Sequence, residues 1–158
     1  AFIEGAQAQI TRATLRRQLA RGPVTDLQAG GADLIGLSVS DFSLINADLR
    51  FASAQGSFLT RGSAVGARME RIRLRGAVLR EVDLSGAQMR RADFYGARLD
   101  RVNLRGADLT EADLRMAVFG EGTDLTGVAL EGALFDARSI LPFDRMTAES
   151  LGMQFVAI

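Results

Sequence analysis

An apolar residue recurs at every fifth position from Leu34 to Phe119. The series runs Leu34, Val39, Leu44, Leu49, Ala54, Leu59, Ala64, Met69, Leu74, Leu79, Leu84, Met89, Phe94, Leu99, Leu104, Leu109, Leu114, Phe119. In a chain that is 47% hydrophobic, chance produces so long an unbroken run about once in a million, and a fixed period of this kind marks a repeat architecture. The residue two places earlier is small or apolar each time, most often Ala (Ala32, Ala47, Ala92, Ala107). Asp or Asn often stands between the two, as in Ala32-Asp33-Leu34, Val102-Asn103-Leu104 and Ala107-Asp108-Leu109. A helix repeats near 3.6 residues and a strand near 2, so a strict period of five fits neither. It fits a chain that turns a corner every five residues, with two side chains of each unit inward and three outward.

Units such as Ala-Asp-Leu-Arg-Gly, set head to tail over residues 32–119 and continuing to about residue 140, resemble the pentapeptide-repeat family. The resemblance implies an all-β solenoid, a right-handed quadrilateral parallel β-helix. In it, the centre residue and the one two before it pack inside, and four sides close a coil of twenty residues. Stacked coils then pair backbone to backbone at about 4.8 Å. On this reading residues 1–31 form an N-terminal helical cap and entry, 32–140 the β-helix, and 141–158 a C-terminal cap.

Both ends depart from the beat. Ile10 to Arg21 reads as a short helix, capped by Gln9 or Thr11 and stopped by Gly22-Pro23. Ile10, Leu15 and Leu19, with Ala13 and Ala20, are expected to form its narrow apolar stripe, which suits a lid over the open first coil better than a membrane surface. Asp144 to Gly152 reads as a second short helix with Asp144 or Thr147 as N-cap. The last residues, Leu151, Met153, Phe155 and Val156, are too apolar to stay in solvent. They are expected to lid the last coil or to contact a second copy of the chain. At Gly120-Glu121-Gly122 the rhythm slips by one residue and resumes at Leu125, Leu130 and Phe135, which is the signature of a bulge at a corner.

A twenty-residue coil aligns outward residues in columns. Asp41, Arg61, Glu81, Arg101 and Glu121 alternate in sign, so neighbouring coils attract along that column. Phe58, Val78 and Val118 fall in another, interrupted by Arg98. Two columns are rich in Gly (Gly36, Gly56, Gly76, Gly96; Gly66, Gly86, Gly106, Gly127) and mark corners that call for positive φ. The side carrying 47–51, 67–71 and 87–91 gathers Arg50, Phe51, Arg68, Arg71, Arg90 and Arg91. Arginines around an aromatic are a common composition of protein interfaces, and these six residues are the candidate partner face.

Chemistry is sparse. The chain has no His and no Cys, and all nineteen basic residues are Arg. It therefore has no imidazole base, no thiolate, no Schiff-base lysine and no ordinary zinc site. Phosphate loops and nucleophile elbows are absent, and carboxylate pairs such as Asp108 and Asp113 are accounted for by the repeat. An enzyme is not expected, nor is a cofactor or a bound metal. No stretch is long and apolar enough for a transmembrane helix. Net charge is zero, and direct nucleic-acid binding is disfavoured.

The expected function is a non-catalytic scaffold for a protein partner, with a homodimer through the C-terminal end as one further expectation. The family resemblance implies two alternatives. One is a DNA-mimicking protein that binds gyrase or topoisomerase, as quinolone-protection proteins do. The other is a structural domain of a larger secreted or membrane-associated protein. Zero net charge and basic patches depart from the acidic pattern of a DNA mimic. The compartment stays open between the bacterial cytoplasm and a processed or secreted form.

Overall fold

Bridges between residues twenty apart organise the chain. Asp33 pairs in parallel with Ser53, Ser53 with Arg73, Arg73 with Asp93 and Asp93 with Asp113. The same offset links the successive strands β1 (Ser38–Ser40), β2 (Phe58–Ser63), β3 (Val78–Asp83), β4 (Arg98–Asp100) and β5 (Val118–Phe119) into one parallel sheet in that order. The computed structural model, which describes residues 10–158, is thus a quadrilateral parallel β-solenoid of about six turns. The period of five is the side and the period of twenty is the coil.

Each corner from Gly31 to Gly132 carries a residue with left-handed φ. Gly56 and Gly76 do so at 63° and 66°, where the missing Cβ removes the steric cost. At other corners the same backbone is taken by Asp41 (55°), Phe51 (62°), Arg61 (48°) and Arg71 (59°). Charged side chains therefore occupy corners that L-residues ordinarily avoid. The ladder on both sides of each corner holds them there, because neighbouring coils have no freedom to relax separately.

The Asp of the repeat has a local task. Where Asp or Asn precedes the centre residue, its side chain accepts the N–H of the residue after the centre. Tyr95 donates to Asp93 Oδ1 at 3.0 Å, Thr110 to Asp108 at 2.9 Å, Arg115 to Asp113 at 3.1 Å and Arg105 to Asn103 at 3.0 Å. These are Asx turns, which satisfy a backbone donor at the corner. The recurrent carboxylates thus belong to the fold.

The core is one continuous column of side chains. Leu74, Leu79, Leu84, Met89, Phe94, Leu99, Leu104, Leu109 and Leu114 are all essentially inaccessible, as are the alanines two places before most of them. The rule weakens at the N-terminal end, where Val39 and Leu59 are only partly buried. There an apolar void of about 30 Å³ remains among Leu15, Leu34, Phe42, Leu44, Leu59 and Leu84. Helix α1 (Arg12–Ala20), capped by Thr11, lays Leu15 and Leu19 over this open coil, while Ala13 and Ala20 stay exposed.

Phe42 occupies a slot that most often holds Ala, and Gly62 lies one coil along. A Cβ built on Gly62 would fall 2.3 Å from the Phe42 ring. The missing side chain makes room for the large one. Gly62→Ala should destabilise the native chain by about 1–3 kcal/mol through overpacking. The same change in a Phe42→Ala background should cost nothing, or stabilise. Urea denaturation of the four chains measures this, and additive effects would disprove the coupling.

The slip in rhythm is a one-residue insertion in the corner after β5. Val118 and Phe119 pair at offset twenty with Arg98 and Leu99, whereas Asp124 pairs at offset twenty-one with Asn103. Strand β6 (Leu134–Phe135) carries the solenoid on. The chain then leaves the coil through helix α2 (Arg145–Ser150), whose N-cap Asp144 accepts from Thr147 N at 2.8 Å. It returns as β7 (Gln154–Phe155), parallel to β6. Met153 is buried, and Phe155 meets the Phe135 ring edge-on at 5.4 Å between centroids. Val156 N donates to Phe135 O at 2.8 Å, while Leu151 stays exposed. Three of the four apolar tail residues thus close the last coil.

Candidate functional site

The alternating column forms two ion pairs, and Glu121 joins neither. Arg61 reaches Asp41 at 3.0 Å and Arg101 reaches Glu81 at 2.8 Å, each across one coil. These pairs are solvated, so they set register more than stability. The apolar column also forms: Phe58 pairs with Val78, Val78 with Arg98 and Arg98 with Val118, and Phe58 is 55% exposed. Arg98 turns toward Asp100 at 2.9 Å.

The arginine face spans one side of the solenoid and its corner, in three consecutive coils. Arg50 and Arg90 stand in one outward column with Glu70 between them, and Arg68 stands in the neighbouring column with Asp48. Phe51, Arg71 and Arg91 succeed one another at the corner, each with left-handed φ. Phe51 is 59% exposed.

Three of the five arginines are held by carboxylates. Arg50 grips Asp48 with Nη2 at 2.8 Å, and Arg91 pairs with Glu111. Arg90 stands 4.0 Å from Asp108. The hydrogen bonds from Arg50 hold the Asp48 carboxyl below the usual range, against its partial burial. Arg91 does the same for Glu111. Arg68 and Arg71 make no ion pair or side-chain hydrogen bond among the described residues.

A further arginine belongs to this corner. Arg73, on the adjoining side, lines with Phe51, Arg71, Arg91 and Asp93 a shallow depression of about 240 Å³. It too has no ionic partner among the described residues. Reading one side of the coil at a time separates Arg73 from Arg71, although they are two residues apart. Only the corner's turn brings them onto one groove. Beyond it, Tyr95 is stacked between Arg75, 4.4 Å from the ring centroid, and Arg115 at 5.5 Å.

Acidic residues do not join into a face. The column through Asp48 continues with Arg68, Gln88 and Asp108, and that through Asp33 with Ser53, Arg73, Asp93 and Asp113. Arg75 and Arg115 cover Asp93 and Asp113 at 3.2 and 2.6 Å. Burial raises and Arg115 lowers the Asp113 carboxyl, with the net displacement downward.

Family comparison matches the model of pentapeptide repeats, in 8 copies, over residues 65–94, 87–127 and 97–136. Residues 65–136 carry pentapeptide repeats. Among solved structures, two trypsin-treated variants of QnrB1, a plasmid-mediated fluoroquinolone resistance protein, share the fold. One is 16% identical with a TM-score of 0.59, and the other 14% identical with a TM-score of 0.57. Each likeness covers 86% of this chain and 81% of the other. HetL, a pentapeptide-repeat protein involved in heterocyst differentiation regulation in the cyanobacterium Nostoc, is 26% identical over 77% of this chain and 67% of its own, with a TM-score of 0.38. No curated protein matches the chain.

Proposed function

We propose that this chain is a non-catalytic scaffold whose arginine-rich corner docks an acidic segment of a protein partner. One observation carries the reading. Arg71 and Arg73 line one depression with the exposed Phe51, and neither makes an ion pair among the described residues, on a backbone fixed by the coils above and below. An exposed apolar ring beside two guanidinium groups free of ion pairs suits a partner that offers carboxylates around an apolar side chain. Arg50, Arg68, Arg90 and Arg91 extend the same positive edge. Most of the carboxylates are engaged in Asx turns or ion pairs, which supports a binding role over catalysis.

The test is capture from a lysate of the source organism with the native chain and with Arg68, Arg71, Arg73 and Arg91 changed to Ser. A protein retained by the native chain alone, and released by salt, is the expected result. Capture by both chains alike would place the interface elsewhere. Gyrase or topoisomerase subunits, with protection in a supercoiling assay, would support the DNA-mimic reading instead. Against that reading stand the interrupted acidic columns. If both chains capture nothing, a structural role within a larger protein becomes the better account.

A homodimer is the second reading, and it rests on the C-terminal end. Phe135, Ile140, Leu141, Phe143 and Phe155 line a hollow of about 480 Å³, and Ile140, Met146, Leu151 and Ile158 are exposed nearby. Sedimentation of the native chain beside Ile140→Glu distinguishes a dimer that this change dissolves from a monomer.

A further inference from the structure

The first strand of the solenoid presents an edge that the next strand uses and this one does not. In the coil that follows, Phe58 N donates to Leu37 O at 2.8 Å, and Asp41 N donates to Thr60 O at 3.0 Å. With Ser38 opposite Phe58 and Ser40 opposite Thr60, β1 directs the backbone groups of Leu37, Val39 and Asp41 toward β2. The N–H and C=O groups of Ser38 and Ser40 then point the other way. Among the described residues they meet no backbone partner. No preceding strand is present among the described residues, and helix α1 lies alongside β1 without pairing with it.

Between α1 and β1 runs a groove of about 530 Å³, lined by Arg16, Arg17, Leu19, Ala20, Ser38, Val39, Ser40 and Asp41. Its helical wall is basic. Arg17 Nη2 reaches only Thr14 Oγ1 at 3.3 Å, and neither Arg16 nor Arg17 has a carboxylate partner among the described residues. Asp41, at the opposite lip, is already held by Arg61.

We infer that this groove takes an extended acidic peptide segment of a partner protein, which adds a sixth strand to the β1–β5 sheet by hydrogen bonding Ser38 and Ser40 while its carboxylates face Arg16 and Arg17. An exposed sheet edge gives main-chain bonds without sequence preference, and the wall beside it supplies the selection. In an extended segment alternate side chains share one face, so acidic residues at every second position meet the helix. This surface lies at the N-terminal end of the solenoid and is separate from the arginine corner.

The probe is a fluorescein-labelled decapeptide alternating valine and glutamate, followed by fluorescence anisotropy with the full chain. A matching valine–lysine peptide and a single-stranded oligothymidylate run beside it. Ser40→Pro removes an outward N–H and leaves the bonds to β2 intact, a place where an edge strand tolerates proline. Its circular dichroism and melting should match the native chain, and its affinity for the glutamate peptide should fall about tenfold or more. Arg16→Glu with Arg17→Glu should weaken the glutamate peptide and favour the lysine one, while the corner variant binds as the native chain does.

Equal binding by native and Ser40→Pro chains would overturn the strand pairing. Indifference to the sign of the peptide would overturn the role of α1. No binding of the glutamate peptide at millimolar concentration, or tighter binding of the oligonucleotide, would overturn the proposal as a whole.

Discussion

Leu104→Asp should leave the chain unfolded at room temperature. Leu104 is fully buried in the middle of the stack, with Leu84 one coil before it, itself 1% exposed. Removing a buried leucine side chain costs about 2–5 kcal/mol. An unpaired carboxylate placed there adds several more. No arginine reaches the interior to meet it, because every arginine in the ion pairs lies on the outer wall. Together these terms rival the whole stability of an ordinary domain, roughly 5–15 kcal/mol. A solenoid has no second core to fall back on, since each coil contacts only its neighbours. Leu104→Met, which keeps the volume, should lower stability by less than about 1.5 kcal/mol and serves as the control. Circular dichroism and urea denaturation decide. A soluble Leu104→Asp chain that melts with the native one would mean that this side chain does not face inward.

What could be read before the structure follows from which interactions the repeat makes visible. Inward positions such as Leu74, Phe94 and Leu109 repeat because each meets the same neighbours one coil away, so the periodicity is a direct record of packing. The ion pairs of Arg61 and Arg101 were legible for the same reason, as was the one-residue slip near Gly120. Features that break translational symmetry were hidden. The match of Phe42 to Gly62 involves two exceptional residues at one slot, and a pattern search discards both as noise. The left-handed φ at Asp41 and Arg71 left no compositional trace, since the coils impose it on residues that do not prefer it. Arg73 escaped notice because a corner turned two neighbouring sides toward one groove. The tail's apolar residues were read as a lid or a dimer contact, but its return as a strand parallel to β6 was masked by the excursion through α2, which interrupts the beat after Ile140.

Asp136→Ala should cost about 3 kcal/mol and should loosen the C-terminal coil first. Asp136 is a buried carboxylate, 3% exposed, at the point where the chain leaves the solenoid. Oδ1 accepts from the amides of Met116 at 3.2 Å, Arg138 at 3.0 Å and Ser139 at 3.1 Å, and Oδ2 takes Arg138 Nη2 at 2.7 Å. Alanine would strand those donors where water does not reach them. The loss should appear as faster hydrogen exchange at Gln154 and Val156, whose amides bond Ala133 and Phe135 in β6, with the middle coils unchanged. Acid should mimic the mutation. Burial alone would raise the Asp136 carboxyl, but the Arg138 guanidinium and the amide donors outweigh it and hold it below the usual value of 3.8. A carboxyl lowered in the folded state contributes stability that is complete above its unfolded value and fades as pH falls through the folded one. The native chain should therefore lose stability below about pH 4, and Asp136→Ala should show a shallower decline over the same range. Parallel acid limbs in the two chains would show that the Asp136 charge contributes nothing, and unchanged exchange at Gln154 would show that this carboxylate does not tie the last strand to the stack.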